Sequence, residues 1–260
     1  MPSPDAKNQH PFRAEASALS GSVREPLHKE IPLLAPVALP HSGGFATKRS
    51  GAFNLDEVVS CSSAYTLLTA RRSASGAILA LATAVIEDLN ILQVATARRI
   101  VAQISVTIAR DGAPRRISLA GSRFEGLRLA GHDSVPRLSL ALHQPIGGAS
   151  GPELPLTWHN FSQWAAAKYG RMMGSAPRSE AGEPVLCSLV EGFEGAHPSH
   201  ASGHVVDIPG FGKIILGELQ VSGDSLRLVS IRAELGCPVT GVVTGPTTDI
   251  SGGGGTGGPD

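Results

Sequence analysis

The amino-acid sequence predicts an all-β protein, a sandwich or partly closed barrel with one inserted helix, and three stretches carry that expectation. Along residues 100–108, Ile100, Ala102, Ile104, Val106 and Ile108 alternate with Val101, Gln103, Ser105 and Thr107, the period of a strand with one buried face. Residues 137–142 repeat the pattern, with Leu138, Leu140 and Leu142 set against Arg137, Ser139 and Ala141. Residues 226–235 carry it with a change of phase. Leu226 and Leu228 come first, then Val229, Ile231, Ala233 and Leu235 take the apolar positions, with Ser230, Arg232 and Glu234 outward. Such a one-residue shift is what a β-bulge produces, so a bulge is expected near Leu228 or Val229. The alternative class is α+β, because residues 77–86 (AILALATAVI) are apolar in both phases and fit either a central strand covered on both sides or a helix. Strand is preferred, since Glu87, Asp88 and Asn90 follow as turn formers.

The elements fall into three regions along the 260 residues. Seven of the 19 prolines lie in the first forty residues, and each fixes φ and removes a backbone donor, so residues 1–49 read as an extended arm. Its second half carries Ile31, Leu33, Leu34, Val37 and Leu39 and is expected to lie against the core. Residues 50–245 read as a single β domain. Residues 246–260 end in SGGGGTGGPD and read as a disordered tail. One helix is expected near residues 158–172, where Trp158, Phe161, Ala165, Lys168 and Met172 recur at helical spacing after Thr157. Aromatic side chains bury about 150–250 Å² each, so the helix packs on the sheet or else offers Trp158, Phe161, Trp164 and Met172 to a protein partner. Glu87-Asp88-Leu89-Asn90-Ile91 is echoed by Glu125-Gly126-Leu127-Arg128-Leu129, a pattern that similar hairpins in one sheet system explain.

Composition narrows the function classes. Twenty-two basic residues balance 22 acidic ones, so no overall field gathers phosphate backbones, and no nucleic-acid partner is expected. Arginine occurs in three adjacent pairs (Arg71-Arg72, Arg98-Arg99, Arg115-Arg116), but neighbours on a strand face opposite ways and a pair makes no anion site by itself. No stretch approaches the roughly 18–20 apolar residues of a membrane span, and the first twenty residues lack the apolar centre of a signal peptide. The cytoplasm is the default address, with export by a route lacking a cleaved leader compatible with it. Cys61, Cys187 and Cys237 have no short spacing and read as free thiols.

The strongest chemical candidate is the H-x2-H-x3-H run of His197, His200 and His204, with Glu194 before it and Asp207 after it. Three neutral imidazoles reach the roughly 2.0–2.1 Å needed for zinc, so the run is a candidate metal site, and with Asp207 or Glu194 as base it would suit a metal-dependent hydrolase. On a loop containing Pro198 and Gly203 the spacing does not fix the ligand directions. Gly147-Gly148-Ala149-Ser150-Gly151 departs from the G-x-S-x-G of a nucleophile elbow. Gly210-Phe211-Gly212-Lys213 follows Pro209 and precedes a strand, so it reads as a hairpin turn rather than a phosphate loop. Glu87 and Glu125 occupy matching positions of the echo and could form a carboxylate pair. No residue is assigned a catalytic role. The favoured function is a noncatalytic structural or protein-binding β module, whose partner is another protein or a second copy. The alternatives are the hydrolase and a carrier of a small apolar ligand.

In the segments IEDLNILQVATARRIVAQIS, GSRFEGLRLAGH and the stretch from Gly203 to Val239, the chain resembles a group of uncharacterised bacterial proteins. The Val85 to Ala97 pattern is also similar to bacterial surface proteins of the choice-of-anchor type, which implies an exported β domain. Neither resemblance brings catalytic residues.

Overall fold

The structure is a computed structural model that describes residues 12–108, 116–140, 142, 185–194, 200–222 and 225–251. All of its regular elements are strands. The first eight are β1 (Arg13–Ser17), β2 (Leu19–Glu25), β3 (Lys29–Leu34), β4 (Val37–Leu39), β5 (Gly44–Ser50), β6 (Phe53–Leu55), β7 (Val59–Cys61) and β8 (Ser63–Arg72). There follow β9 (Ile78–Ile91), β10 (Ala95–Ile108), β11 (Arg116–Ser118), β12 (Arg123–Glu125), β13 (Arg128–Leu129), β14 (His132–Asp133) and β15 (Pro136–Leu138). The last are β16 (Val185–Ser188), β17 (Val190–Phe193), β18 (His200–Ser202), β19 (Val205–Ile208), β20 (Gly212–Ser222), β21 (Ser225–Leu235), β22 (Thr240–Thr244) and β23 (Thr247–Ser251).

Two antiparallel sheets are packed face to face as a sandwich, and neither closes into a barrel among the described residues. The first sheet runs β18-β19-β20-β21-β22-β2-β3, with β23 between β21 and β1, β4 outside β1, and β16 beside β20. The second has β10 and β9 at its centre, flanked by β8 and β7 on one side and by β11, β12 and β13 on the other, with β5 outside β8. β15 and β17 pair as a separate two-stranded sheet, packed on the first cluster through Val190 and Leu138. Residues 78–86 lie in β9, a central strand bonded to β8 and β10; only one phase is covered throughout, with Ala80, Ala82, Ala84 and Ile86 inward and Leu79, Leu81 and Thr83 half-buried on the other face.

The long strands change phase at one level. Ile104, Ala102 and Ile100 point inward on β10, then Ala97 and Ala95; on β9 the inward set passes from Ala80, Ala82, Ala84 and Ile86 to Leu89 and Ile91. β20 passes from Leu216 to Leu219 and β21 from Leu228 to Ile231. The expected shift on β21 is therefore present, but no extra residue is inserted between β20 and β21. Glu218↔Val229 and Leu216↔Ile231 keep one register, and the flip occurs in both strands together at Gly217 and Ser230. Left-handed backbone marks this level on several strands, with φ of 63° at Gly217, 50° at Asp88, 60° at Gly126 and 48° at Ala35. The result is a crease across the sandwich that separates two hydrophobic clusters, one around Ile86, Ile100, Ile214 and Ile231 and the other around Leu68, Ile104, Leu119 and Leu228.

Polar side chains tie the crease together. Thr66 Oγ1, fully buried on β8, donates to the Ala35 carbonyl at 2.6 Å, and Ala35 N–H donates to Ser50 Oγ at 3.0 Å, which joins the two sheets. Ser188 Oγ donates to Leu216 O at 2.8 Å and accepts from Val190 N–H at 2.9 Å. Alanines line the interior beside these ties: Ala14 and Ala16 on β1 face Ala70 on β8 and Ala80, Ala82 and Ala84 on β9. With so little side chain between them, β1 approaches β8 and β9 to within 8 Å between α-carbons, inside the usual sheet spacing of about 10 Å.

The stretch read as an arm contributes β1 to β5 to the two sheets. Residues 13–25 contain no proline and make an inner column between β22/β23 and β3/β4. Pro26 lies in the turn after β2, while Pro32 and Pro36 sit in the outermost column, where a missing N–H costs no ladder bond. At the other end, residues 247–251 form β23, an inner strand bonded to β1 and β21. The pattern at 137–142 differs from expectation: β15 ends at Leu138, Ser139 is buried and bonds Leu189 O, and Leu140 is 81% exposed. The expected helix at 158–172 lies outside the described residues. Among the described residues no helix is long and apolar enough to cross a membrane.

Candidate functional site

The edges of the sheets decide where another chain can add. An unpaired edge strand offers a row of N–H and C=O groups, and natural sheets blunt such rows with proline, bulges, short strands or charges. Three edges here are blunted. The β3/β4 column carries Pro32, Pro36 and a register shift against β2, β18 has three residues, and the far side of the second sheet is broken into the short strands β11, β12 and β13.

β5 is different. Among the described residues it pairs only with β8, in an unbroken register from Gly44↔Ala70 to Ser50↔Ala64, and it contains no proline. Its outward-facing side chains are Phe45, Thr47 and Arg49, and Phe45 is 66% exposed. Arg49 lies 5.5 Å from the centre of the Tyr65 ring, a cation–π contact, and Arg99 Nη2 donates to Tyr65 Oη at 2.6 Å. Thr47 Oγ1 donates to Thr66 O at 2.8 Å, which holds the middle of the strand to β8. Next to β5 on the same face are the half-buried Leu67 and Leu81. Among the described residues the edge is thus open and bordered by partly apolar surface.

A second surface lies on the outer face of the first sheet. Glu15, Asp249 and Arg227 stand side by side on β1, β23 and β21. They line a groove of about 480 Å³ with Ser17, Leu33 and Val37. Burial raises the Asp249 pKa, opposed by the Ser225 hydroxyl that donates to Oδ1 at 3.1 Å and by the charge of Arg227. Further along the same face Glu218, nearly buried, accepts from Arg232 Nε at 3.1 Å and Nη2 at 2.6 Å, and Arg232 also pairs with Glu234. Every charge in this band except Asp249 and Arg227 is held by a hydrogen-bonded ion pair, as with Arg13 Nε on Glu15 at 2.9 Å, so the band is a strut more than a reaction centre.

The histidine run is divided by the structure. His197 lies outside the described residues. His200 begins β18 opposite Asp207, and His204 follows in the turn, buried, with its carbonyl accepting from Leu216 N–H at 3.0 Å. Among the described residues no three His, Cys, Asp or Glu side chains gather as a metal site would require. Asp207 instead faces Lys213 at 4.0 Å. Trp158, Phe161, Trp164 and Met172 also lie outside the described residues. Glu87 and Glu125 are not neighbours, because both align with Arg99 from opposite sides of β10. Arg123 and Arg98 bond Glu125 and lower its pKa, while Arg99 Nε lies 3.8 Å from Glu87. Cys61 is a buried thiol whose pKa burial raises, Cys187 is also buried, and Cys237 is exposed.

The β5 edge was not singled out by sequence reasoning, since it falls within the proline-rich first 49 residues. Its signal was present in GFATKRS: alternation of Phe45, Thr47 and Arg49 with Ala46 and Lys48, and no proline.

No curated protein and no solved structure matches this chain. A family model described as a domain of unknown function, DUF8256, matches residues 10–155 and 153–222. That match covers most of the sandwich just described, and the chain is a member of the DUF8256 family.

Proposed function

We propose that this protein is a noncatalytic β module that binds another polypeptide by strand addition at β5. The observation that carries the reading is the contrast among its edges: one column holds Pro32 and Pro36, others are short, and β5 is seven residues long, regular and exposed. Backbone bonds along such an edge supply affinity, and alternate side chains supply selectivity. The even balance of 22 basic and 22 acidic residues supports a protein partner over nucleic acid. Free thiols at Cys61 and at the exposed Cys237 support a reducing compartment such as the cytoplasm. The two large clusters of buried side chains among the described residues favour a packed interior over a carrier's cavity.

The test is a photo-crosslinking amino acid placed at position 47 in the full chain expressed in cells, with the same group at the exposed Lys213 as control. Covalent adducts to an identified protein are expected from position 47 and not from 213. Equal yields from both positions would refute strand addition at this edge.

A further inference from the structure

We infer that the polypeptide added at β5 is a second copy of this chain, paired antiparallel about a two-fold axis at Thr47; the inference rests on the strand-addition reading above. A continuous antiparallel sheet requires the axis to stand perpendicular to the sheet, and then residues directly opposite each other share a face. With the axis at Thr47, Gly44 meets Ser50 of the other copy and the whole of β5 is paired. Phe45 meets Arg49, Ala46 meets Lys48, and Thr47 meets Thr47. No like charges are directly opposite. Phe45, the exposed aromatic, receives a guanidinium, and threonine pairs with threonine, both favourable cross-strand combinations.

Neighbouring registers are worse. An axis at Lys48 sets Lys48 against Lys48, one at Arg49 sets Arg49 against Arg49, and like charges in such positions oppose pairing. An axis at Ala46 leaves both Arg49 and Ser50 without a strand partner. The strand is therefore self-complementary in one register, which is the property a two-fold interface demands. In that register Lys48 is diagonal to its own copy, so the dimer carries a modest repulsion that salt screens. The pairing also extends the outer face, placing Phe45 and Leu67 of each copy on one surface across the axis.

Sedimentation equilibrium of the full chain should show a monomer–dimer equilibrium that tightens as salt is raised. Phe45→Lys places lysine opposite Arg49 and should weaken the dimer by about ten-fold or more, whereas Phe45→Glu keeps an attractive pair and should hold the constant within about three-fold. Phe45→Lys combined with Arg49→Glu restores opposite charges and should restore the dimer. Because Phe45 is 66% exposed, these changes spare the core. In a Cys237→Ser background, Thr47→Cys treated with oxidised glutathione, which takes up the two electrons and is reduced to its thiol, should form a disulfide-linked dimer across the axis. A chain that stays monomeric at millimolar concentration, or a dimer indifferent to Phe45→Lys, overturns the second-copy assignment. Adducts from position 47 to a different protein, with a monomeric chain, likewise remove the second copy while leaving strand addition standing; the absence of adducts removes both.

Discussion

At the scale of single residues, Asp249 is the group whose environment opposes its charge most clearly. Burial raises its pKa above the ordinary aspartate value, so the folded chain binds a proton there more readily than the unfolded chain. Stability attached to this site is therefore present below the ordinary aspartate pKa and is lost as pH climbs through the raised one. Asp249→Asn should stabilise the protein to urea at neutral pH, because the amide oxygen still accepts from Ser225 without a buried charge. The advantage should vanish as the pH is lowered into the range where the wild-type carboxyl is protonated. Thr248 presents a related case. Its side chain is fully buried and its hydroxyl has no hydrogen-bond partner among the described residues. Thr248→Val keeps the shape and removes the unsatisfied group, and should raise stability by about 1 kcal/mol in the same denaturation assay.

At the scale of elements, the crease is the feature that single-strand reading sees only in part. The alternation at 100–108 and the phase change in 226–235 were both legible, because each is written in one strand's own side chains. Legibility stopped at the fact that β20 flips opposite β21, so that a shift resembling an inserted residue preserves the register. The echo of residues 87–91 in 125–129 has the same origin: Asp88 on β9 and Gly126 in the bend between β12 and β13 are both left-handed, on opposite sides of β10, and each is followed by a buried leucine, Leu89 or Leu127. The proline-rich start misled for a physical reason. Proline excludes an inner strand only where it sits, and residues 13–25 between Pro11 and Pro26 are free of it. Gly217 is the most exacting position of the crease, with φ at 63° and a Cβ site 3.0 Å from the Leu189 Cβ and 3.1 Å from the Val190 N. Gly217→Ala should cost about 1–3 kcal/mol from the backbone conformation alone. The crowding against β17 should add to that cost, and thermal unfolding would measure the sum.

At the scale of the whole molecule, the candidate site was the least legible part. The histidines and the aromatic stripe were chosen for side-chain chemistry, whereas among the described residues β5 is distinguished by a long, regular row of backbone groups left unpaired on one side, and whether a strand ends at an edge is decided by the other strands of its sheet. The two clusters raise a further question of cooperativity. β9, β10, β20 and β21 each pass through both, so neither cluster can melt while the other keeps its strands. Ile104→Ala in one cluster and Ile231→Ala in the other should each cost about 2–5 kcal/mol. Calorimetry should show one transition shifted to lower temperature in both variants; two resolved transitions would mean the crease uncouples the clusters. Ala82→Leu attacks the close approach of the sheets and should destabilise by about 1–3 kcal/mol through overpacking.

The pairing of Arg13 with Ser251 has a consequence for biosynthesis. β1 leaves the ribosome more than two hundred residues ahead of β23, the neighbour on its inner side. Until then the nascent chain holds a sheet with a gap through its middle, and the five residues of β23 act as the clasp that lets the sandwich close.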